Sequence, residues 1–499
     1  MTVTSSATTP PVPAGAAGPA GLARQIRGPV LLAGDERVAA EVAGFNVATT
    51  HRPAVVVGAT CAEDVAAAVR LAVARGLPVA VQATGHGAVT PADGAVLVTT
   101  ARMRGVAVDP VARTARAEAG CRWSDVIAAT SPHGLAPLCG SSSSVGVVGY
   151  TLGGGVGPLA RRYGFAADHV RRLEVVTADG VLRTVDADHE PDLFWALRGG
   201  KGSFGVVTAV EFDLVEVATL YGGGLFFPGD RARTVLTAYR AWAATVGEET
   251  TSSVAVLSLP PLPELPEPLR GQTVVHVRVA HLGGQEDGER LVAPLRAAAP
   301  VLLDHLGVLP FAAVDSVHQD PTSPMPVWER GLLLRDLTPA TVDALLAVAG
   351  PGSGAPVLGV ELRHLGGALA RPAAVPNAVA GRGAAFSLLV LGVATPALAD
   401  VLPRVGDAVA EAVAPWRAEG ALVNFLGDAT TPEQVRAAWS PEVLARLLEV
   451  KRRHDPADVF RFGHAIRHAP AQMSARATAG GRGLPEQGPR GLLRRLLPR

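Results

Sequence analysis

The segment that most limits the fold lies between residues 53 and 82, where strand, helix and strand patterns follow one another. P-A-V-V-V-G is an apolar run of strand length. Thr60-x-x-Glu63 then reads as a capping box, which satisfies backbone N–H groups left open at a helix start. Val65, Ala68, Val69 and Ala72 fall on one helical face, and Gly76 supplies the stop. L-P-V-A-V-Q returns as a strand and runs into A-T-G-H-G-A-V-T. Folds built from such β-α-β units bind ligands at strand ends and turns. Gly85-His86-Gly87 is a tight turn of that kind, and its imidazole either faces solvent or is pushed against a ligand.

A chain of 499 residues is too long for one ordinary core and implies two domains, or one with a large insertion. Its 45 basic and 45 acidic residues cancel, which offers nothing to recruit nucleic acid or an anionic membrane. Hydrophobic residues make up 48% against 18% charged, enough for a substantial core, and no apolar run is long enough to span a bilayer. Cys61, Cys121 and Cys139 lack metal-type spacing, so no metal site is expected, and their sparseness fits a reduced compartment. The N-terminus has no basic or apolar leader pattern, which makes a cytoplasmic location the expectation. Residues 1–20 and 469–499 read as disordered tails, the latter ending in G-L-L-R-R-L-L-P-R.

Beyond about residue 220 the pattern changes. Y-G-G-G-L-F-F-P-G-D, T-V-V-H-V-R-V-A-H-L-G-G and A-F-S-L-L-V-L-G-V-A read as strands. A-R-T-V-L-T-A-Y-R-A-W and L-A-D-V-L-P-R-V-G-D-A-V-A-E-A-V read as helices, so a second, α+β domain is expected. The G-x-G-x-x-A at Gly155 and Gly157, with Glu174 downstream, matches a dinucleotide fingerprint poorly, because no strand leads into its first glycine. No phosphate-binding P-loop pattern is present. What remains is a glycine-rich surface around residues 140–157, able to approach an extended cofactor and donate N–H groups to a pyrophosphate.

An ordered set of motifs extends this picture. It comprises Gly85-His86, G-S-S-S-S-V-G-V-V-G-Y-T-L-G-G-G-V-G-P-L-A-R-R-Y-G at 140–164, V-V-T-A-D-G at 175–180 and P-D-L-F-W-A-L-R-G-G-K-G-S-F-G-V-V-T at 191–208. L-R-H-L-G-G-A at 362–368, V-N-F-L-G-D at 423–428 and V-K-R-R-H-D-P-A-D-V-F-R-F-G-H-A-I at 450–466 complete it. From about residue 44 to 468 the chain resembles the FAD-linked oxidases of the vanillyl-alcohol oxidase-like superfamily, and within it the berberine-bridge-enzyme-like group.

The resemblance implies an α+β protein in which a two-lobed PCMH-type FAD-binding domain, residues 21–218 and 431–468, encloses a substrate domain, 219–430, with an antiparallel sheet covered by helices. It implies that His86 bonds to the 8α-methyl of FAD and that Ala83, Thr84, Gly85, His86 and Gly87 cradle the pyrophosphate. It places Ser142, Val145, Gly146, Gly149 and Tyr150 in the flavin-side loop, Gly205, Val206 and Val207 on the adenine side, and His464 near the flavin. Ser142 stands where many members carry a second, cysteinyl anchor, which implies a single tether, with Cys139 the alternative thiol. Gln82 replaces the family's arginine, and Thr84 replaces the first glycine of its G-G-H.

The activity so implied is hydride transfer from a small organic substrate to FAD, with O2 as the next acceptor, since a small residue such as Val145 accompanies oxidase behaviour. Two alternatives stay open, a dehydrogenase with noncovalent FAD and a non-catalytic member of the fold. The base is unassigned, because Leu422 stands where the group often has a tyrosine. Glu361, His364 and Tyr150 are the remaining candidates, besides a water; Glu361 beside Arg363 also reads as a structural ion pair. Few ionisable groups imply an apolar pocket suited to a hydrophobic alcohol, polyketide or alkaloid-like substrate in a monomer or homodimer.

Overall fold

The computed structural model describes residues 19–468. The strand Val55–Gly58, the helix Ala62–Ala74 and the strand Val79–Gln82 form where the sequence pattern puts them. Val65, Ala68, Val69 and Ala72 are fully buried, and Gly76 turns the chain at φ +63°. The two strands are not neighbours, however. Val96–Thr99 lies between them and is parallel to both, while Val30–Leu32 pairs antiparallel with Val55–Gly58. The helix start also differs from the expected capping box, because Cys61 is the N-cap. Thr60 donates its N–H and its hydroxyl to Asp64, at 2.9 and 2.7 Å, rather than pairing with Glu63. Asp64 is buried and also accepts the Arg27 N–H at 3.0 Å, so it anchors the preceding segment as well.

A second sheet, antiparallel, runs in the order Val106–Asp109, Thr114–Glu118, Val206–Asp213, Val170–Val176, Leu182–Val185. Glu174, the acid of the dinucleotide pattern, sits on it in an ion pair with Arg116 at 2.9 Å. No strand enters the glycines at 153–157, and a Cβ on Gly157 would lie 1.7 Å from the Cys139 carbonyl oxygen. Those glycines serve close packing.

The third sheet is antiparallel, with the order Leu303–Asp304, Thr219–Pro228, Thr273–His281, Thr250–Ser258, Gly359–His364, Phe386–Val393, Val327–Leu334, and Gly307–Pro310 also paired to Thr219–Pro228. Strand alternation gives it two different faces. Val275, Val277, Val279, Val360 and Leu362 pack under the helices Ala232–Ala243, Gln285–Arg296, Pro339–Ala349 and Val401–Ala412. The intervening His276, Arg278, Glu361 and Arg363 face the other way.

The helix Pro441–His454 brings the chain back to the first lobe. Lys451 is fully buried and donates to Asp455 Oδ2 at 2.6 Å, to the Phe460 carbonyl at 2.7 Å and to the Ser203 carbonyl at 2.8 Å. The following segment then pairs with the edge of the first sheet, where the Val79 N–H donates to the Val459 carbonyl at 2.9 Å. The expected tails lie outside the described residues, except that Pro19 and Ala20 open a short helix, Pro19–Leu22. Removing the Lys451 charge leaves Asp455 buried with less compensation, so Lys451→Met should cost about 3–5 kcal/mol in urea unfolding. Arg452→Met, at an exposed neighbour, should stay within about 0.5 kcal/mol and is the control.

Candidate functional site

A cavity of about 440 Å³ is walled by the turn after Val79–Gln82, the loop and short helix at 140–152, the start of Val206–Asp213, residues 460–465 and the polar side of the large sheet. Gly85 has φ +73°, and a Cβ there would lie 2.7 Å from Gly44 Cα. That approach lets Phe45 and Asn46 donate their N–H groups to the carbonyls of Thr84 and Gly85, at 2.9 and 3.2 Å. The backbone N–H groups of residues 84–87 donate to no protein acceptor among the described residues, which leaves a row of donors on the cavity wall.

His86 is fixed on three sides. Its ring stacks on Phe45 with centroids 4.1 Å apart and 9° between planes. Nδ1 lies 2.9 Å from Thr84 Oγ1, and Nε2 lies 3.2 Å from Ser144 Oγ, which is 2.7 Å from Ser142 Oγ. Burial, with the charge of Arg122 adding to it, pushes its pKa down to about 4, so the imidazole is neutral near pH 7. Gln82, in the arginine's place, donates to the Val42 carbonyl at 2.8 Å and accepts from His51 at 3.0 Å, so it braces the turn from behind.

Ala83, Thr84, Gly85, His86, Gly87, Val145, Gly146, Gly149, Tyr150, Gly205, Val206, Val207 and His464 all line the cavity. Ser142 does not. It stands one hydrogen bond behind the wall, reaching His86 through Ser144. Cys139 is also off the wall, and burial pushes its thiol up to about 12, which makes it a poor substitute anchor.

Of the base candidates, Glu361 and His364 lie off the cavity wall. Glu361 takes Arg278 Nη1 at 2.6 Å and Arg363 Nε at 2.9 Å. Burial opposes its charge, but Arg363 and Arg278 outweigh it and hold the carboxyl at about 2. It is a structural ion pair. His364 stacks on Phe386 with centroids 5.2 Å apart and faces a separate small cavity beside His318. Tyr150 does reach the main cavity, but burial raises its hydroxyl well above 10.

The expectation of a wall nearly free of ionisable groups does not hold, because the inner face of the large sheet brings charge to it. Glu329, on the strand Val327–Leu334, lines the cavity with Val327, Lys201, Arg363 and Asn424. Its neighbour Arg330 faces outward and pairs with Asp428 and Asp407. A Cβ on Gly427 would lie 1.8 Å from the Glu329 carbonyl oxygen, and the Asp428 N–H donates to that oxygen at 2.9 Å, so the residue's backbone is clamped. Its carboxyl has no hydrogen-bond or ion-pair partner among the described residues, and burial pushes it up to about 7 against the pull of Lys201. Lys201 takes a left-handed φ of +57° and donates to Asn424 Oδ1 at 3.1 Å. Burial pushes it down to about 8. A sequence signal for Lys201 existed: among 45 basic residues only Lys201 and Lys451 are lysines, and both sit inside the structure.

An extended cofactor with a pyrophosphate and a flat ring fits this wall. The open N–H row suits the phosphates, and the buried His464 Nδ1 and Tyr150 hydroxyl, both on wall residues, lack partners among the described residues. Two family models match the chain, an FAD binding domain over residues 53–186 and a berberine and berberine-like segment over residues 421–467. (R)-6-hydroxynicotine oxidase of Paenarthrobacter nicotinovorans is 28% identical over 444 residues, covering 83% of this chain and 91% of that one. The solved 6-hydroxy-D-nicotine oxidase of Arthrobacter nicotinovorans superposes with a TM-score of 0.74 at 26% identity, over 89% of this chain and 98% of that one. Glucooligosaccharide oxidase from Acremonium strictum, described with a 6-S-cysteinyl, 8α-N1-histidyl FAD, shares the fold with a TM-score of 0.75 at 20% identity, over 88% and 97% of the two chains.

Fold and site together define an FAD-dependent oxidoreductase with a PCMH-type FAD-binding domain. The chain carries an FAD binding domain and a berberine and berberine-like segment, and a berberine-bridge-enzyme-like protein of Physcomitrella patens shares its fold.

Because Glu361 is held at about 2, below its ordinary value near 4.3, its charge stabilises the fold above about pH 4, and that contribution is lost as pH falls toward 2. Glu361→Gln leaves Arg278 and Arg363 under-compensated and should cost about 3–5 kcal/mol at pH 7. Thermal unfolding followed against pH checks both expectations.

Proposed function

We propose that the protein is an oxidase. It takes a hydride from a small organic substrate, a hydrophobic alcohol, polyketide or alkaloid-like molecule, and passes the electrons to O2 to give H2O2, with FAD attached once, through His86. Bound FAD supplies the hydride-accepting and oxygen-reducing chemistry. The observation that carries this reading is His86 itself, a neutral, cavity-facing imidazole held by Phe45, Thr84 and Ser144 at the head of an open row of N–H donors. Glucooligosaccharide oxidase carries its FAD on a cysteine and a histidine. Here the counterpart of the cysteine is Ser142, so only the histidyl attachment has a donor. Val145 on the wall supports O2 as the acceptor, and the valine, alanine, leucine and phenylalanine side chains around it support a substrate with a large apolar body. The similarity to (R)-6-hydroxynicotine oxidase points to a compact, partly aromatic molecule.

The purified protein should be yellow and should keep its flavin on the polypeptide after acid precipitation. His86→Ala should release all flavin to the acid supernatant, while Cys139→Ser should change nothing. Complete release from the unaltered protein overturns the tether. Colourless protein that FAD cannot reconstitute overturns the enzyme reading as a whole. A substrate-bleached flavin that fails to recover its colour in air makes the protein a dehydrogenase.

A further inference from the structure

Seven ionisable side chains line the main cavity: His51, His86, Tyr150, Lys201, Glu329, Arg363 and His464. Most are committed elsewhere. His51 accepts from the Ala92 N–H at 3.0 Å and binds Gln82. Arg363 is a cation locked on Glu361, and Lys201 is a donor to Asn424. His464 donates to the Gly427 carbonyl at 2.9 Å, and burial holds it at about 3, too low for an effective base. Tyr150 holds its proton, and His86 is the tether in the reading above. Glu329 is the one carboxyl on the wall, and it has no protein partner among the described residues.

We propose that Glu329 is the catalytic base of this enzyme, and that its substrate carries an O–H or N–H on the carbon that is oxidised. The proposal rests on the oxidase reading and deepens it. When an alcohol reacts, its carbinol C–H bond breaks and the hydrogen leaves with both electrons as hydride, which bound FAD would accept. The O–H bond breaks at the same carbon's oxygen, its electron pair becomes the second C=O bond, and the proton goes to the Glu329 carboxylate. A primary or secondary amine gives an imine by the same balance, and Glu329 later returns its proton to water. Ethers and tertiary amines have no such proton and gain nothing from the base.

Lys201 is a positioning residue here. A Cβ on Gly87 would lie 4.0 Å from its Nζ, which puts the ammonium between the His86 turn and the Asn424 amide. Its charge favours the Glu329 carboxylate against burial and brings that group to about 7, where a base both exists ionised and accepts a proton readily.

The test has two arms on the holoprotein. In infrared titration of protein labelled in its glutamate carboxyls, the Glu329→Gln difference should show a carboxylic-acid C=O band that disappears through about pH 7. Lys201→Met should move that midpoint upward. A band absent, or unchanged, between about pH 5 and 9 overturns the proposal without any substrate. In the second arm, anaerobic flavin bleaching is followed with primary and secondary aryl alcohols and amines as probes. The rate should rise with pH and level off above about 7, and Glu329→Gln, at unchanged flavin content, should lose roughly 10²- to 10⁴-fold along with the pH dependence. Glu329→Asp should restore part of it. If Glu329→Gln bleaches at the unaltered rate and pH profile, Glu329 is not the base while the oxidase stands. A protein that binds no FAD removes the oxidase reading itself.

Discussion

Lys451 carries a full positive charge into a place with no solvent, and the first lobe is closed around the way that charge is satisfied. An isolated buried ammonium is worth several kcal/mol of destabilisation, so its three protons must each find an acceptor. Asp455 lies one turn further along, and the carbonyls of Ser203 and Phe460 come from opposite sides. Satisfying the lysine therefore draws the chain after Pro441–His454 back over the turn at 201–203. His464, four residues past Phe460, which bridges to Val79, then reaches the cavity, and Lys201 is aimed into it from the turn at 201–203. One buried charge aligns two stretches separated by some 250 positions of chain.

The same interior sorts its carboxylates by what surrounds them. Glu361 and Glu329 are both glutamates on strands of one sheet and on the same face of it. Two guanidinium groups hold Glu361 ionised far below neutrality, and it ties together side chains of two strands that are not neighbours in the sheet. The Glu329 carboxyl has open cavity on one side and no bonded partner among the described residues, so burial outweighs the charges of Lys201 and Arg363 and its proton is poised near neutrality. Environment alone separates structural glue from reactive chemistry here.

That distinction also explains which parts were legible in the sequence. The strand, helix and strand at 55–82 could be read because period and punctuation agree over each short run, and Gly85-His86 could be placed at a strand end. The insertion of Val96–Thr99 between the two strands could not, since V-L-V-T has no flanking signal that says which neighbours it takes. Thr60 and Glu63 have the spacing of a capping box, but Asp64 wins because a second partner, Arg27, shares it. Glu361 and His364 stand out in the sequence beside Arg363, yet His364 alternates to the other face of the strand and Glu361, on the face of Arg363, is taken up by Arg278 and Arg363, so only Arg363 reaches the cavity. Glu329 escaped notice for the converse reason. Its strand opens from P-T-S-P-M-P, which reads as loop, and nothing local tells which face of V-W-E-R-G will meet the site.

Ser142 shows how a departure from a family pattern becomes structure rather than a gap. Ser142 offers a hydroxyl that bonds Ser144, which holds Nε2 of His86, while Thr84 holds Nδ1. Thr84 is itself a departure, standing where the family's turn has glycine. With both ring nitrogens assigned to hydroxyls and one ring face stacked on Phe45, the imidazole has neither rotational freedom nor a reason to protonate. Hydroxyls can donate or accept, so either ring tautomer is satisfied without moving an atom heavier than hydrogen. A neutral imidazole with a free choice of tautomer is the form in which a ring nitrogen offers its lone pair to carbon. The two residues that depart from the motif thus fix the orientation and the neutral state of His86.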